Sequence, residues 1–320
     1  MTTAFMKKIL ANDGIDAKGK QLLEAAGFEV VTTKVEQAAL ADAINAEGYV
    51  ALTVRSATQV RAALIDACPG LKVIGRGGVG MDNIDVDYSR SKGIAVINTP
   101  AASSHSVAEL VFSHLFTGVR FLHDANRRMP AEGDTAFATL KKNYAGGTEL
   151  RGKTIGIIGF GRIGQAVASI ALGLGMKVVA HDPYLNAADV TVHIEGAGAV
   201  KASVTTIPME DVLKAADFVT LHVPGGQMMG AAELALMKKG AGIVNAARGG
   251  VVNEDDLLAA LHSGQIGFAG LDVFNNEPTP RKDILAHPKI SLTPHIGAST
   301  DEAQERIGVE LAERIISALA

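Results

Sequence analysis

Apolar residues along this chain come in short runs that alternate with stretches whose apolar positions recur every three or four residues. Runs at 8–11, 28–32, 50–54, 72–75 and 94–97 have strand length, while segments such as 16–26 and 37–46 carry helical spacing. Strands that alternate with helices predict a parallel sheet, because a helical crossover returns the chain to the same end of the sheet. The pattern restarts at 154–159 and continues through 177–181, 218–222, 242–245, 267–271 and 290–292. Two such series predict an α/β protein of two domains, each a doubly wound parallel sheet.

Between the series, Val107, Leu110, Val111, Leu115, Val119 and Leu122 recur at steps of three and four and predict one long helix over 103–127, crossing from one domain to the other. Residues 300–320 are also helical in pattern and follow the last strand, so the chain is expected to return to its first domain. The predicted organisation is a discontinuous domain of residues 1–98 plus 297–320 and an inserted domain of residues 99–296, with hinges near Thr99 and Gly297. No internal repeat stands out beyond the alternation itself, and residues 186–202 read as a long irregular segment.

Charge and composition narrow the partners. Lys and Arg total 30 against 34 Asp and Glu, and no basic block could follow a phosphate backbone, so nucleic acid is not expected. The apolar runs fall far short of the roughly 20 residues that a membrane helix needs. Residues 1–10 include Lys7 and Lys8 and lead at once into Asn12, Asp13 and Gly14, without the apolar core of a signal peptide. A single cysteine, Cys68, permits no internal disulfide. A soluble, cytoplasmic protein is the expectation.

Gly159, Gly161 and Gly164 form a G-x-G-x-x-G pattern between a strand and a helix. In that context the first glycine permits a tight turn, the second lets backbone approach a pyrophosphate, and the third lets helix and strand pack closely. Asp182 ends the next strand at about the 20-residue separation expected of an acid that binds a ribose 2′-hydroxyl. A carboxylate there repels a 2′-phosphate, and Pro183 and Tyr184 bring no cation to offset it. The cofactor expected is NAD in preference to NADP.

Three later segments concentrate polar residues at strand ends: 245–250, 271–278 and 293–297. Ligands of parallel α/β sheets bind outside the carboxyl ends of strands, so these segments are expected to converge on the nicotinamide. Oxidation of a secondary alcohol needs a base, and histidine is the side chain suited to that task near neutral pH, which makes His295 the candidate. Glu277 can bond the other imidazole nitrogen, and Arg248 offers a planar fork to a substrate carboxylate. Taken singly, each has a plainer role open to it: a structural histidine, a turn, a surface ion pair. Together they point to hydride transfer at a hydroxy acid, with no metal required.

Essentially the whole chain resembles the D-2-hydroxyacid dehydrogenases, and among them short phosphoglycerate dehydrogenases that end after the catalytic core. The stretches that carry the likeness are Val54 to Thr58, Gly75 to Asn83, Asn98-Thr99-Pro100 with Ala108-Glu109-Leu110, Gly147 to Leu150, Ala247 to Gly250 and Pro294 to Thr300. The resemblance implies a Rossmann NAD-binding domain and a flavodoxin-like substrate-binding domain. It implies Arg248, Glu277 and His295 as the catalytic trio and Asp272 as the holder of the nicotinamide carboxamide. Arg162 and Ile163 would meet the pyrophosphate; Val223, Pro224, Ala246, Ala247, Gly297 and Ala298 would line the rest of the cofactor site, beside Arg248 and His295. Arg55, Ser56, Arg76, Gly77, Gly78 and Asn98 fall where the family holds its substrate.

Two arginines in that last set suit a small phosphorylated hydroxy acid, which carries a phosphate as well as a carboxylate. Lys142 stands near the place where some relatives use an arginine for the phosphate. The chain departs from many relatives at Gly225 to Met229 and carries Val79 where some phosphoglycerate dehydrogenases have threonine. The resemblance further implies a homodimer and reversible oxidation of 3-phosphoglycerate, an entry step to serine. Alternatives are a hydroxypyruvate or glyoxylate reductase of the same family and, in another class, an NAD(H)-sensing binding protein like the corepressors that resemble these enzymes.

Overall fold

A computed structural model describes residues 6–320; Met1 to Phe5, part of the stretch read above for a signal, lie outside the described residues. The chain divides into two compact units, Met1–Ser103 with Ala298–Ala320, and Ser104–Gly297.

The first unit runs β1 (Lys7–Ala11), α1 (Ala17–Ala25), β2 (Phe28–Val31), α2 (Leu40–Glu47), β3 (Tyr49–Val54), α3 (Ala62–Ala67), β4 (Val73–Arg76), α4 (Val86–Ser91) and β5 (Ala95–Asn98), and closes with a C-terminal helix, Asp301–Leu319. Its five strands are parallel in the order β2-β1-β3-β4-β5, with Val54 beside Arg76 and Arg76 beside Asn98. The C-terminal helix starts at Thr300, whose hydroxyl accepts from the Ala303 amide at 3.2 Å, with Asp301 and Glu302 in the first turn. It buries Ile307, Leu311, Ala312 and Ile315. Leu311 and Ile315 lie over Gly75 of β4, where an added Cβ would meet Leu311 at 2.9 Å. This apolar stripe is what fastens the end of the chain to the first sheet.

The second unit runs α5 (Ser104–Val119), α6 (Leu122–Glu132), α7 (Phe137–Asn143), β6 (Thr154–Ile158), α8 (Arg162–Gly173), β7 (Lys177–His181), β8 (Ala187–Ile194), β9 (Gly198–Thr205), α9 (Met209–Ala215), β10 (Phe218–Leu221), α10 (Ala231–Leu236), β11 (Ala241–Asn245), α11 (Glu254–Ser263), β12 (Ile266–Leu271), α12 (Lys282–Leu285) and β13 (Ile290–Leu292). Six strands are parallel in the order β13-β12-β11-β10-β6-β7. Alternate residues enter opposite cores: Ile155, Ile157 and Val244 pack with Val111, Leu115 and Val167, while Val219, Leu221 and Ile243 pack with Leu257 and Leu261. Burial on both faces makes these strands continuous apolar runs. The strand order reverses around β6, which places the end of that strand at the topological switch point.

Two expectations change. The single helix over 103–127 is two, because Phe121 sits in the left-handed region (φ 57°) and the Val119 carbonyl is taken by the Thr148 amide at 3.0 Å. The chain returning at residue 148 ends α5, and Leu122 is exposed instead of buried. Residues 186–202, read as irregular, form most of an antiparallel hairpin, β8 with β9, registered from Ala187 opposite Thr205 to Ile194 opposite Gly198. Val190 and Val204 turn inward to the core, and the Ser169 hydroxyl of α8 donates to the Thr191 carbonyl at 2.7 Å.

Candidate active site

The glycine loop is built by strand ends that bond one another directly. The Gly159 amide donates to the His181 carbonyl at 2.8 Å, and the His222 amide to the Ile158 carbonyl at 2.7 Å. Gly159 has φ 90°, and an added Cβ would strike the His222 carbonyl and approach Val223 at 3.2 Å. A Cβ at Gly164 would strike the Gly159 carbonyl, whereas one at Gly161 would enter open space. The middle glycine thus leaves the approach to the α8 N-terminus clear, as a dinucleotide pyrophosphate requires. Arg162 is exposed and Ile163 half-buried in the first turn of α8. Asp182 stands over the loop: its carboxylate accepts the Phe160 amide at 2.8 Å and the Tyr184 amide at 2.9 Å. Pro224 is exposed just beyond Val223.

Beyond β11, β12 and β13 the polar segments meet. Asn245 ties the first together, its Oδ1 accepting from the Ala247 amide at 3.1 Å and its Nδ2 donating to the Arg248 carbonyl at 2.9 Å, with Ala246 between. The Arg248 guanidinium donates to the Ala247 carbonyl at 2.6 Å. Gly249 abuts the next segment so closely that a Cβ would overlap the Phe274 carbonyl. The Phe274 amide in turn donates to Glu277 Oε1 at 2.9 Å, and Glu277 Oε2 receives His295 Nδ1 at 2.7 Å. A carboxylate only accepts, so Nδ1 carries a proton and Nε2 is the ring nitrogen left to exchange one.

Asp272 is 1% exposed and makes a hub. Its Oδ1 accepts from the Thr293 hydroxyl at 2.6 Å and the Ile296 amide at 2.8 Å, and its Oδ2 from the Gly297 amide at 2.9 Å. Behind it lies His114 of α5, absent from the sequence reading, with Nδ1 2.9 Å from Ser291 Oγ and Nε2 3.0 Å from Thr293 Oγ1. Burial pushes the His114 pKa down, opposed by the negative charge of Asp272.

In the first unit, Arg55, Arg76 and Asn98 share the carboxyl edge of the sheet. Asp13 holds the loop after β3, accepting from the Arg55 amide at 2.7 Å and from the Thr58 amide and hydroxyl; Asn83 donates to the Arg55 carbonyl at 2.7 Å. Ser56 is exposed on that loop. Arg76 donates to the Gly77 carbonyl at 2.8 Å, the Gly78 amide to the Thr99 hydroxyl at 2.8 Å, and Asn98 to the Val79 carbonyl at 2.7 Å. A cavity of about 270 Å³ opens here, lined by Asp13, Arg55, Gly77, Gln304 and Ile307 among others. Ala298 belongs to this unit and accepts from Gln304 at 2.6 Å. Lys142 is exposed in the last turn of α7, and none of the hydrogen bonds described above reaches it.

A glycine cradle at the switch point of one parallel sheet and an acid-paired histidine beyond its later strands define an NAD-binding dehydrogenase. Residues 112–297 match the NAD binding domain of the D-isomer specific 2-hydroxyacid dehydrogenases. The chain belongs to that family and is an NAD-dependent D-2-hydroxyacid dehydrogenase. It is 40% identical to a hydroxypyruvate reductase of Thermotoga maritima over 98% of both chains. It is 36% identical to a D-3-phosphoglycerate dehydrogenase of Synechocystis, over 97% of this chain but 54% of that protein. The chain thus spans about half the length of the phosphoglycerate dehydrogenases it matches. A glyoxylate reductase of Paecilomyes thermophila superposes with a TM-score of 0.78 at 26% identity, covering 98% of this chain and 96% of that one.

Proposed function

We propose that this dehydrogenase interconverts 3-phosphoglycerate and 3-phosphohydroxypyruvate and prefers NAD to NADP. The observation that carries the reading is the pair Arg55 and Arg76 at one sheet edge, with Arg55 lining a cavity of about 270 Å³ beside Asp13 and Asp16. The first unit is then the substrate-binding domain and the second the cofactor domain.

In oxidation, His295 Nε2 takes the hydroxyl proton while Glu277 steadies the imidazolium through Nδ1. Arg248 grips the carboxylate by its fork, and Arg55 and Arg76, with Lys142 as a point charge, answer the phosphate. Held at the Gly159 to Gly164 loop and Asp182, NAD would supply the acceptor for the hydride leaving the 2-carbon. Asp182 disfavours a 2′-phosphate by charge. Exposed Phe116, Leu122, Met129 and Phe137 on α5 to α7 supply apolar surface for a second copy, so a cytoplasmic homodimer completes the proposal.

Hydroxypyruvate or glyoxylate reduction is the second reading, favoured by the match along nearly the full length of the Thermotoga maritima protein. Oxidation of NADH and NADPH with 3-phosphohydroxypyruvate, hydroxypyruvate, glyoxylate, pyruvate and 2-oxoglutarate separates the two. The expected result is the highest kcat/KM for 3-phosphohydroxypyruvate with NADH. A higher value for hydroxypyruvate rejects the phosphorylated substrate, and equal values with both cofactors reject the NAD preference.

A further inference from the structure

His295 lies in the left-handed region, φ 56°, a backbone conformation that L side chains rarely adopt. Something must hold the turn around it, and the bonds from Asp272 to the Ile296 and Gly297 amides do so directly. The direction of each hydrogen behind Asp272 follows from donor and acceptor capacity. Thr293 spends its one hydroxyl hydrogen on the acceptor-only carboxylate, so it can only accept from His114, whose Nε2 therefore carries the proton. Burial disfavours the charged ring, and in the neutral form Nδ1 accepts from the Ser291 hydroxyl.

The ring is fitted into this place by close packing. His114 is 2% exposed, and a Cβ at Gly270 of β12 would come within 2.6 Å of the His114 Cβ. The neighbours Val111 and Leu115 are wholly buried and anchor α5. A chain of bonds thus runs from the buried face of α5 through Thr293 and Asp272 to the strained turn.

We infer that His114 is a positioning residue for His295, acting through Thr293 and Asp272 to hold the 293–297 turn in the geometry that aims the catalytic imidazole. The inference rests on the proposed role of His295 as the base.

Four variants test it: His114→Phe, His114→Gln, Thr293→Val and the double variant His114→Phe/Thr293→Val, each measured for kcat, KM and NADH binding. Misplacement of a reacting group by about 1 Å can cost on the order of a hundredfold in rate. His114→Phe and Thr293→Val are expected to lower kcat by about ten- to a hundredfold, with NADH still bound. The double variant should lose no more than the worse single one, because both cut the same chain. His114→Gln, which keeps an N–H for Thr293, should retain most of the rate. Unchanged kcat in Thr293→Val, additive losses, or equal losses in the Phe and Gln variants would overturn the inference; should His114→Phe not fold, Thr293→Val and His114→Gln decide it. His295→Ala supplies the control: if it is inactive while Thr293→Val turns over normally, only the positioning role fails. If His295→Ala stays active, the assignment of the base fails and takes this role with it.

Discussion

Single side chains here are ordered by which protons they are allowed to carry. Burial pushes the pKa of His114 down; it also pushes His287 down, aided by the charges of His262 and Lys289, and brings His222 to about 3. In the unfolded chain these rings take up protons near pH ~6.5. The folded state binds fewer protons below that point, so its stability is full above it and falls as the pH drops through it. Thermal unfolding followed from about pH 7.5 to about pH 5.5 should show a falling Tm. His114→Gln should make the fall shallower, and a Tm unchanged across the window would contradict the account. At this scale the polar groups at strand ends were legible: Arg248, Glu277 and His295 interrupt apolar patterns where a parallel sheet offers its ligand edge. His114 was not, because it falls three residues after Val111 and merges into the helix's buried stripe.

Elements show the same division between local and distant causes. The strands of both sheets were readable almost to the residue, since burial on two faces leaves an unbroken apolar run. The hairpin had its own signal in Val190, Val192 and Ile194 and again in Val200, Ala202 and Val204, an alternation of period two around Gly196 and Gly198. Its departure from the βα pattern hid it. The end of α5 had no local signal, because the Thr148 amide that takes the Val119 carbonyl arrives from 29 residues further along. Close crossings of helices are likewise set by the partner. Helix α1 meets the C-terminal helix at Gly19, where an added Cβ would overlap the Gly308 carbonyl. Gly19→Val is expected to cost roughly 1–3 kcal/mol of stability, measured by urea unfolding; a neutral result would mean the two helices part freely.

At the scale of the molecule, each unit gathers polar groups at the carboxyl edge of its own parallel sheet, one holding the glycine cradle, Arg248 and the acid-paired histidine, the other Arg55 and Arg76. If Arg55 answers a phosphate, Arg55→Glu should lower kcat/KM for 3-phosphohydroxypyruvate by about tenfold or more, the worth of a lost charge-assisted hydrogen bond. Glyoxylate, which has no phosphate, should be affected less; equal losses would favour the smaller substrate. The sequence by itself determined the two α/β series, the glycine cradle and Asp182 at its proper separation, and it nominated Arg248, Glu277 and His295 at strand ends, because periodicity, turn chemistry and strand-end polarity are local properties. Tertiary structure alone decided that Asp13 and Asn83 hold the Arg55 loop, that Thr148 ends α5, and that His114, Thr293 and Asp272 stand behind His295. Those are contacts between residues far apart in the chain, and they form only when separate elements pack side by side.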